Sequence, residues 1–116
     1  MDNNQDGWAK RFELTICTAG EIEKTIPAAA LGVAVVYADG ADGETVFLVI
    51  ESRSGSLLAQ VTRRLQTAKF PEGAALRVAY RVANPTPVTP EEIHAACREQ
   101  VIFAGALRRE LRPAMR

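Results

Sequence analysis

The side chains that could do chemistry are few and scattered. There is one histidine, His94, and two cysteines, Cys17 and Cys97. Neither cysteine belongs to a CxxC pair, and two thiols with one imidazole do not make an ordinary tetrahedral zinc site. His94 has no evident acid or nucleophile beside it, so no Ser-His-Asp or Cys-His relay can be assembled around it. Asp39 and Asp42 fall in a glycine-rich turn, where aspartate is favoured because it tolerates turn geometry. Lys69 sits where an apolar-periodic stretch ends, a place where the helix dipole favours a cation. No metal site is expected.

Composition narrows the classes further. The chain has 116 residues, 47% of them hydrophobic, which suits one globular domain with a single modest core. Lysine plus arginine and aspartate plus glutamate both number 14, so the net charge is zero. That removes the main argument for a nucleic-acid or anionic-membrane partner. The charge is nevertheless divided. Residues 1–56 hold 9 acids and 4 bases, and residues 57–116 hold 5 acids and 10 bases. The basic half either faces an anionic ligand or forms solvated helix faces. Both cysteines lie in apolar contexts, as buried thiols of a reducing compartment do. No apolar run reaches transmembrane length, and residues 1–6 are too polar and acidic for a signal peptide, so a cytosolic protein is expected.

The elements that must position these residues follow from periodicity. Residues 1–7 are expected to be mobile. Residues 10–18 alternate in part, with Phe12, Leu14 and Ile16 on one side, and are expected to form a half-buried strand. Thr18 and Glu21 form a capping box, so a helix starts there with Ile22 and Ile26 on one face; Pro27 ends it. Residues 32–38 and 45–50 are β-branched runs joined by an Asp-Gly loop, which predicts a hairpin. Neither run alternates, which places the hairpin at the centre of the sheet. Ser54, Gly55 and Ser56 open a helix burying Leu57, Leu58, Val61 and Leu65, with Arg63 and Arg64 turned to water. Residues 76–82 alternate as a strand nearer the sheet edge. Thr89, Pro90 and Glu92 form a second capping box. The helix behind it is expected to carry Ile93, Cys97, Val101 and Ala104 inward, extended by Leu107 and Leu111. The order β-α-ββ-α-β-α predicts an α+β fold: a small mixed sheet with a central hairpin, packed by about three helices.

These stretches also carry a resemblance. Asp6 and Lys10 have the spacing of a D-x-x-[IV]-K hinge. Gly20, Glu21, Ile22 and Glu23 spell G-E-I-E at a helix start. Asp42, Gly43 and Glu44 lie in the hairpin loop, and Lys69 and Pro71 keep part of a Y-K-x-P motif. In this order, over nearly the whole chain, they resemble the C-terminal domain of the adenylate-forming enzymes: acyl-CoA synthetases, acyl-AMP ligases and the adenylation domains of nonribosomal peptide synthetases. The resemblance implies a small domain that works against a large nucleotide-binding domain. It also implies that Lys69 approaches a phosphate of an acyl-adenylate or of coenzyme A.

The departures carry equal weight. The family closes on L-P-x-T-x-x-G-K-[IV]-x-R, whose lysine stabilises charge as the adenylate forms. Here Glu91 and Glu92 stand where the glycine and lysine belong, and a carboxylate there repels what the lysine would balance. The chain also has no room for the large domain. The resemblance therefore implies a free-standing, degenerate subdomain that is not catalytic alone. It binds no cofactor by itself, ATP and coenzyme A or phosphopantetheine belonging to a larger assembly. Its partner would be a separate adenylation core or an acidic carrier protein, met by Arg63 and Arg64. The alternative is a small α+β regulatory or assembly module that homodimerises through a sheet edge and has no enzymatic role.

Overall fold

The computed structural model describes residues 4–40, 43–52 and 55–114. Its sheet has four strands in the order β1-β4-β2-β3: β1 (Thr15–Thr18), β4 (Leu76–Asn84), β2 (Leu31–Gly40) and β3 (Gly43–Glu51). The α+β class is observed, and the predicted β-α-ββ-α-β-α order follows an added first helix, which makes four helices among the described residues where about three were expected. Every pairing is antiparallel, so the sheet is not mixed. The hairpin forms, with Val35 opposite Val49 and Gly40 opposite Gly43. Only its first strand is central, however; β3 is an edge, and β4 lies inside the sheet between β1 and β2. The unalternating runs have another cause, since helices cover both faces of the sheet.

On one face lie a single 3-10 turn (Ala19–Glu21) running into α2 (Ile22–Thr25), and α3 (Leu57–Thr67). They close a core of Ile22, Ile26, Val36, Leu48, Ile50, Leu57, Val61, Val78 and Tyr80. On the other face lie α1 (Asn4–Arg11) and α4 (Pro90–Leu111), over Trp8, Val33, Val35, Tyr37, Val49, Ala79, Ala104 and Leu107. Each element of this sandwich buries one side against the sheet, the arrangement that removes most apolar surface from water.

Helix α1 corrects two expectations. It begins at Asn4, inside the stretch read as mobile, and runs to Arg11, over the first two residues of the expected strand, of which Thr15–Thr18 is extended. Trp8 and Ala9 are buried on its inner side, and Phe12, Leu14 and Ile16 pack on the same core with exposed residues between them, so the expected alternation is present. Trp8 meets Tyr37 edge-on at 5.1 Å between ring centroids and donates its indole N–H to Glu44 Oε1 at 2.8 Å. Glu13, at φ 59°, then reverses the chain into β1.

Two details fix how the strands lie. Gly32 is where β2 and β4 crowd: a Cβ there would stand 2.2 Å from the Arg81 carbonyl oxygen, and the register of the two strands shifts between Leu31 and Gly32. The outer edge of β3 is partly covered from behind. Arg108 Nη2 donates to the Val49 carbonyl at 2.8 Å, and the Ala114 N–H donates to the Val46 carbonyl at 2.9 Å.

Candidate functional site

The residues singled out by the resemblance fall on separate elements. Lys10 is exposed on α1, and the Asp6 side chain lies outside the described residues, as does Asp42. Glu21 works as a cap, accepting the Thr18 N–H at 3.2 Å, and that bond holds its carboxyl below the usual glutamate value. Ile22 is core, while Gly20 and Glu23 border a shallow hollow of about 310 Å³ against Thr62, Leu65 and Gln66 of α3. Lys69 and Pro71 are exposed past the end of α3, flanking Phe70, whose ring packs edge-on against Phe47 at 5.4 Å.

Glu92 has structural work. Its Oε1 accepts the backbone N–H groups of Val88 at 2.8 Å and Thr89 at 3.1 Å, while its own N–H donates to Thr89 Oγ1 at 3.1 Å. Those backbone donors lower its pKa. The capping box therefore accounts for a glutamate at this position. It also lies on α4, across the sheet from α2 and α3, so Glu92 and the Gly20–Glu23 and Lys69–Pro71 segments do not converge.

Arg63 is exposed as expected, but Arg64 is half-buried instead of turned to water. It lines a cleft of about 390 Å³ with Val49, Ile50, Glu51, Gln60 and Arg108. Arg108 is already engaged there, bonded to Glu51 Oε1 at 2.9 Å as well as to the Val49 carbonyl. That geometry ties α4 to β3.

The surface that sequence reasoning missed is on α4. The face packed on the sheet is Ala96, Gln100, Ala104 and Leu107, with Phe103 and Leu111 partly buried beside it. Gln100 is held through Ser52, whose hydroxyl donates to Gln100 Oε1 at 2.6 Å and accepts the Gly32 N–H at 2.9 Å. Of the expected inward stripe, Ala104, Leu107 and Leu111 face the sheet, but Val101 is 41% exposed and Ile93, at the helix start, 43%; Ile102, next to Val101, is 74% exposed. Val88, just before the helix, is 81% exposed. His94, Cys97, Arg98, Val101 and Ile102 surround an open depression of about 470 Å³. A signal was present in the sequence. Residues 96, 100, 103, 104, 107 and 111 already make a complete helical stripe, so Cys97 and Val101 are surplus to it.

The chemistry this surface offers is apolar contact flanked by charge. Cys97 is half-buried, where a buried thiol was expected, and its Sγ makes a long 3.9 Å contact to the Ser52 carbonyl. Cys17 is buried in the opposite core, and burial pushes its thiol pKa up. No group of three or more metal-ligating side chains occurs among the described residues, and none of their helices is long and apolar enough to cross a membrane. No family model, no curated protein and no solved structure matches this chain.

Proposed function

We propose that the protein is a binding and assembly module without chemistry of its own, and that the first half of α4 is its docking face for a protein helix of matching apolar surface. The observation that carries this is the outward pair Val101 and Ile102 beside the α4 depression. Large apolar side chains grouped on one face of an otherwise packed helix mark interaction surfaces. Their burial by a partner would contribute on the order of 25 cal/mol per Å² of apolar area, before the cost of association. A docking helix also suits this fold better than edge pairing. The β3 edge is partly covered, and β1 has only four residues. The test uses an environment-sensitive apolar dye with the parent chain and with Val101→Ser/Ile102→Ser, which should fold normally. Dye uptake by the monomer that falls in the variant supports the docking face. A chain that neither takes up dye nor associates at any concentration refutes it.

A second reading keeps the resemblance: a degenerate C-terminal subdomain of an adenylate-forming system, docking on a separate core or an acidic carrier protein. Its support is the placement of the motifs. Gly20–Glu23 opens a helix after a strand, Gly43 sits in the hairpin turn at φ +111°, and Lys69–Pro71 follows α3. Titration with phosphopantetheinylated carrier proteins at low and high salt tests it. Binding that weakens with salt and with Arg63→Glu/Arg64→Glu supports it. Binding indifferent to both removes it.

A further inference from the structure

We propose that the helix received by the α4 face is α4 of a second copy, packed antiparallel about a two-fold axis near Val101; this rests on the docking reading above. Glu91, Arg98, Val101, Gly105 and Arg109, in steps of seven, three, four and four, lie along a single outward face of α4, and Arg112 caps its end. At 1.5 Å per residue, Glu91 lies about 15 Å before Val101, and Arg109 and Arg112 lie about 12 and 16 Å after it. A two-fold at Val101 therefore brings Glu91 of each copy between Arg109 and Arg112 of the other. It also sets the opposed helix dipoles side by side.

Two further features of the single chain fit this arrangement. The first is charge. Glu91, Arg98, Arg109 and Arg112 are exposed and make no ion pair among the described residues, whereas Arg11, Arg77 and Arg108 each have one within the chain. The second is Gly105. Glycine is a poor helix former, and here a Cβ would meet nothing closer than the Arg109 guanidinium tip at 3.7 Å. The fold of one chain has no use for a glycine at that position. In the antiparallel pair, Arg98 of the partner crosses at Gly105, and the missing side chain lets the helices approach closely. The apolar centre of the contact is Val101 and Ile102. The zero net charge of the chain leaves no long-range repulsion between copies.

Light scattering and sedimentation equilibrium of the full chain, from micromolar to submillimolar concentration, test the proposal. The expected mass rises to twice that of the chain. Glu91→Arg alone, or Arg109→Glu with Arg112→Glu, should each raise the dimer dissociation constant roughly fivefold or more, because the two-fold repeats every lost pair. The three changes together should restore most of the affinity. Gly105→Gln should weaken the dimer without lowering the unfolding midpoint of the monomer. A dimer indifferent to the charge swap and to Gly105→Gln overturns the α4 pairing. A chain that stays monomeric yet takes up dye at Val101 and Ile102 overturns the self-partner and leaves the docking face standing. A monomer without dye uptake overturns both.

Discussion

One added methyl group at Gly32 tests the closest strand approach in this fold. Its Cβ would stand 2.2 Å from the Arg81 carbonyl oxygen, 3.0 Å from Val82 Cα and 3.1 Å from Arg81 C. Ordinary contact begins near 3.4 Å, so the shortfall is about 1.2 Å. All three obstructing atoms are backbone of a paired strand and cannot swing aside. Strands β2 and β4 have to part, and overpacking of this kind costs about 1–3 kcal/mol. Pairing is lost with it, at about 1 kcal/mol for each hydrogen bond. The Gly32 N–H bond to Ser52 Oγ, at 2.9 Å, is strained by the same displacement. Against this, alanine restricts the unfolded chain and returns about 0.4–1 kcal/mol. The net expectation for Gly32→Ala is a loss of about 3 kcal/mol, or roughly 12–15 °C in Tm. Urea and thermal unfolding followed by the fluorescence of Trp8, the single tryptophan, report it directly. Gly105→Ala is the internal control, measured where the chain is monomeric. With only the Arg109 tip at 3.7 Å, it should gain up to about 1 kcal/mol from helix propensity. If both variants shift stability in the same direction, the strand approach at Gly32 is wrong.

Three other expectations follow from single contacts. Thr89→Ala should cost about 1 kcal/mol through loss of the α4 N-cap, read by urea denaturation; an unchanged midpoint would contradict the cap. The capping carboxylates set an acid limb. Glu92 and Glu21 are both held below 4.5 by backbone N–H donors, so the folded state binds those protons more weakly than the unfolded one. Their contribution is complete above about pH 4.5 and is lost as pH falls through the lower folded values, so Glu92→Gln should flatten that limb in a pH series of unfolding midpoints. With a thiol reagent at neutral pH, Cys97 should react in the native protein and Cys17 only after unfolding, since burial both shields Cys17 and raises its pKa; equal rates would contradict the packing of Cys17.

The hairpin was legible because β-branched runs around an Asp-Gly turn have few other ways to fold. Both capping boxes were legible because the hydroxyl and carboxylate act within one turn of chain. The position of the hairpin in the sheet was not, because burial on both faces comes from helices on either side and is silent about strand order. Helix α1 was missed because residues 4–11 carry only Trp8 and Ala9 as buried apolar side chains, while the partners that hold Trp8, Tyr37 and Glu44, lie far along the chain. In helix α4, Ala104, Leu107 and Leu111 were read inward correctly, but Cys97 and Val101 were not. Its buried side includes Gln100, a polar residue accepted only because Ser52 meets it, and a hydrophobicity pattern gives such a residue no credit. Glu92 carried two readings, a cap and the position of a family lysine, and its local bonds bear out the cap.

The stretch after α4 guards the chain against its own kind. In β3, Val46, Phe47, Leu48, Val49 and Ile50 form an uncharged, proline-free run of high β-propensity at an open sheet edge, the composition from which cross-β stacks grow. Two of its outward carbonyls are taken by Arg108 and by the Ala114 N–H, so an arriving strand finds its template already occupied. Shortening the chain after Leu111 removes the Ala114 bond while leaving both core faces intact. Such a truncated protein should unfold near the parent temperature and yet seed fibrils or precipitate on storage, a fault of solubility in a fold whose stability is unharmed.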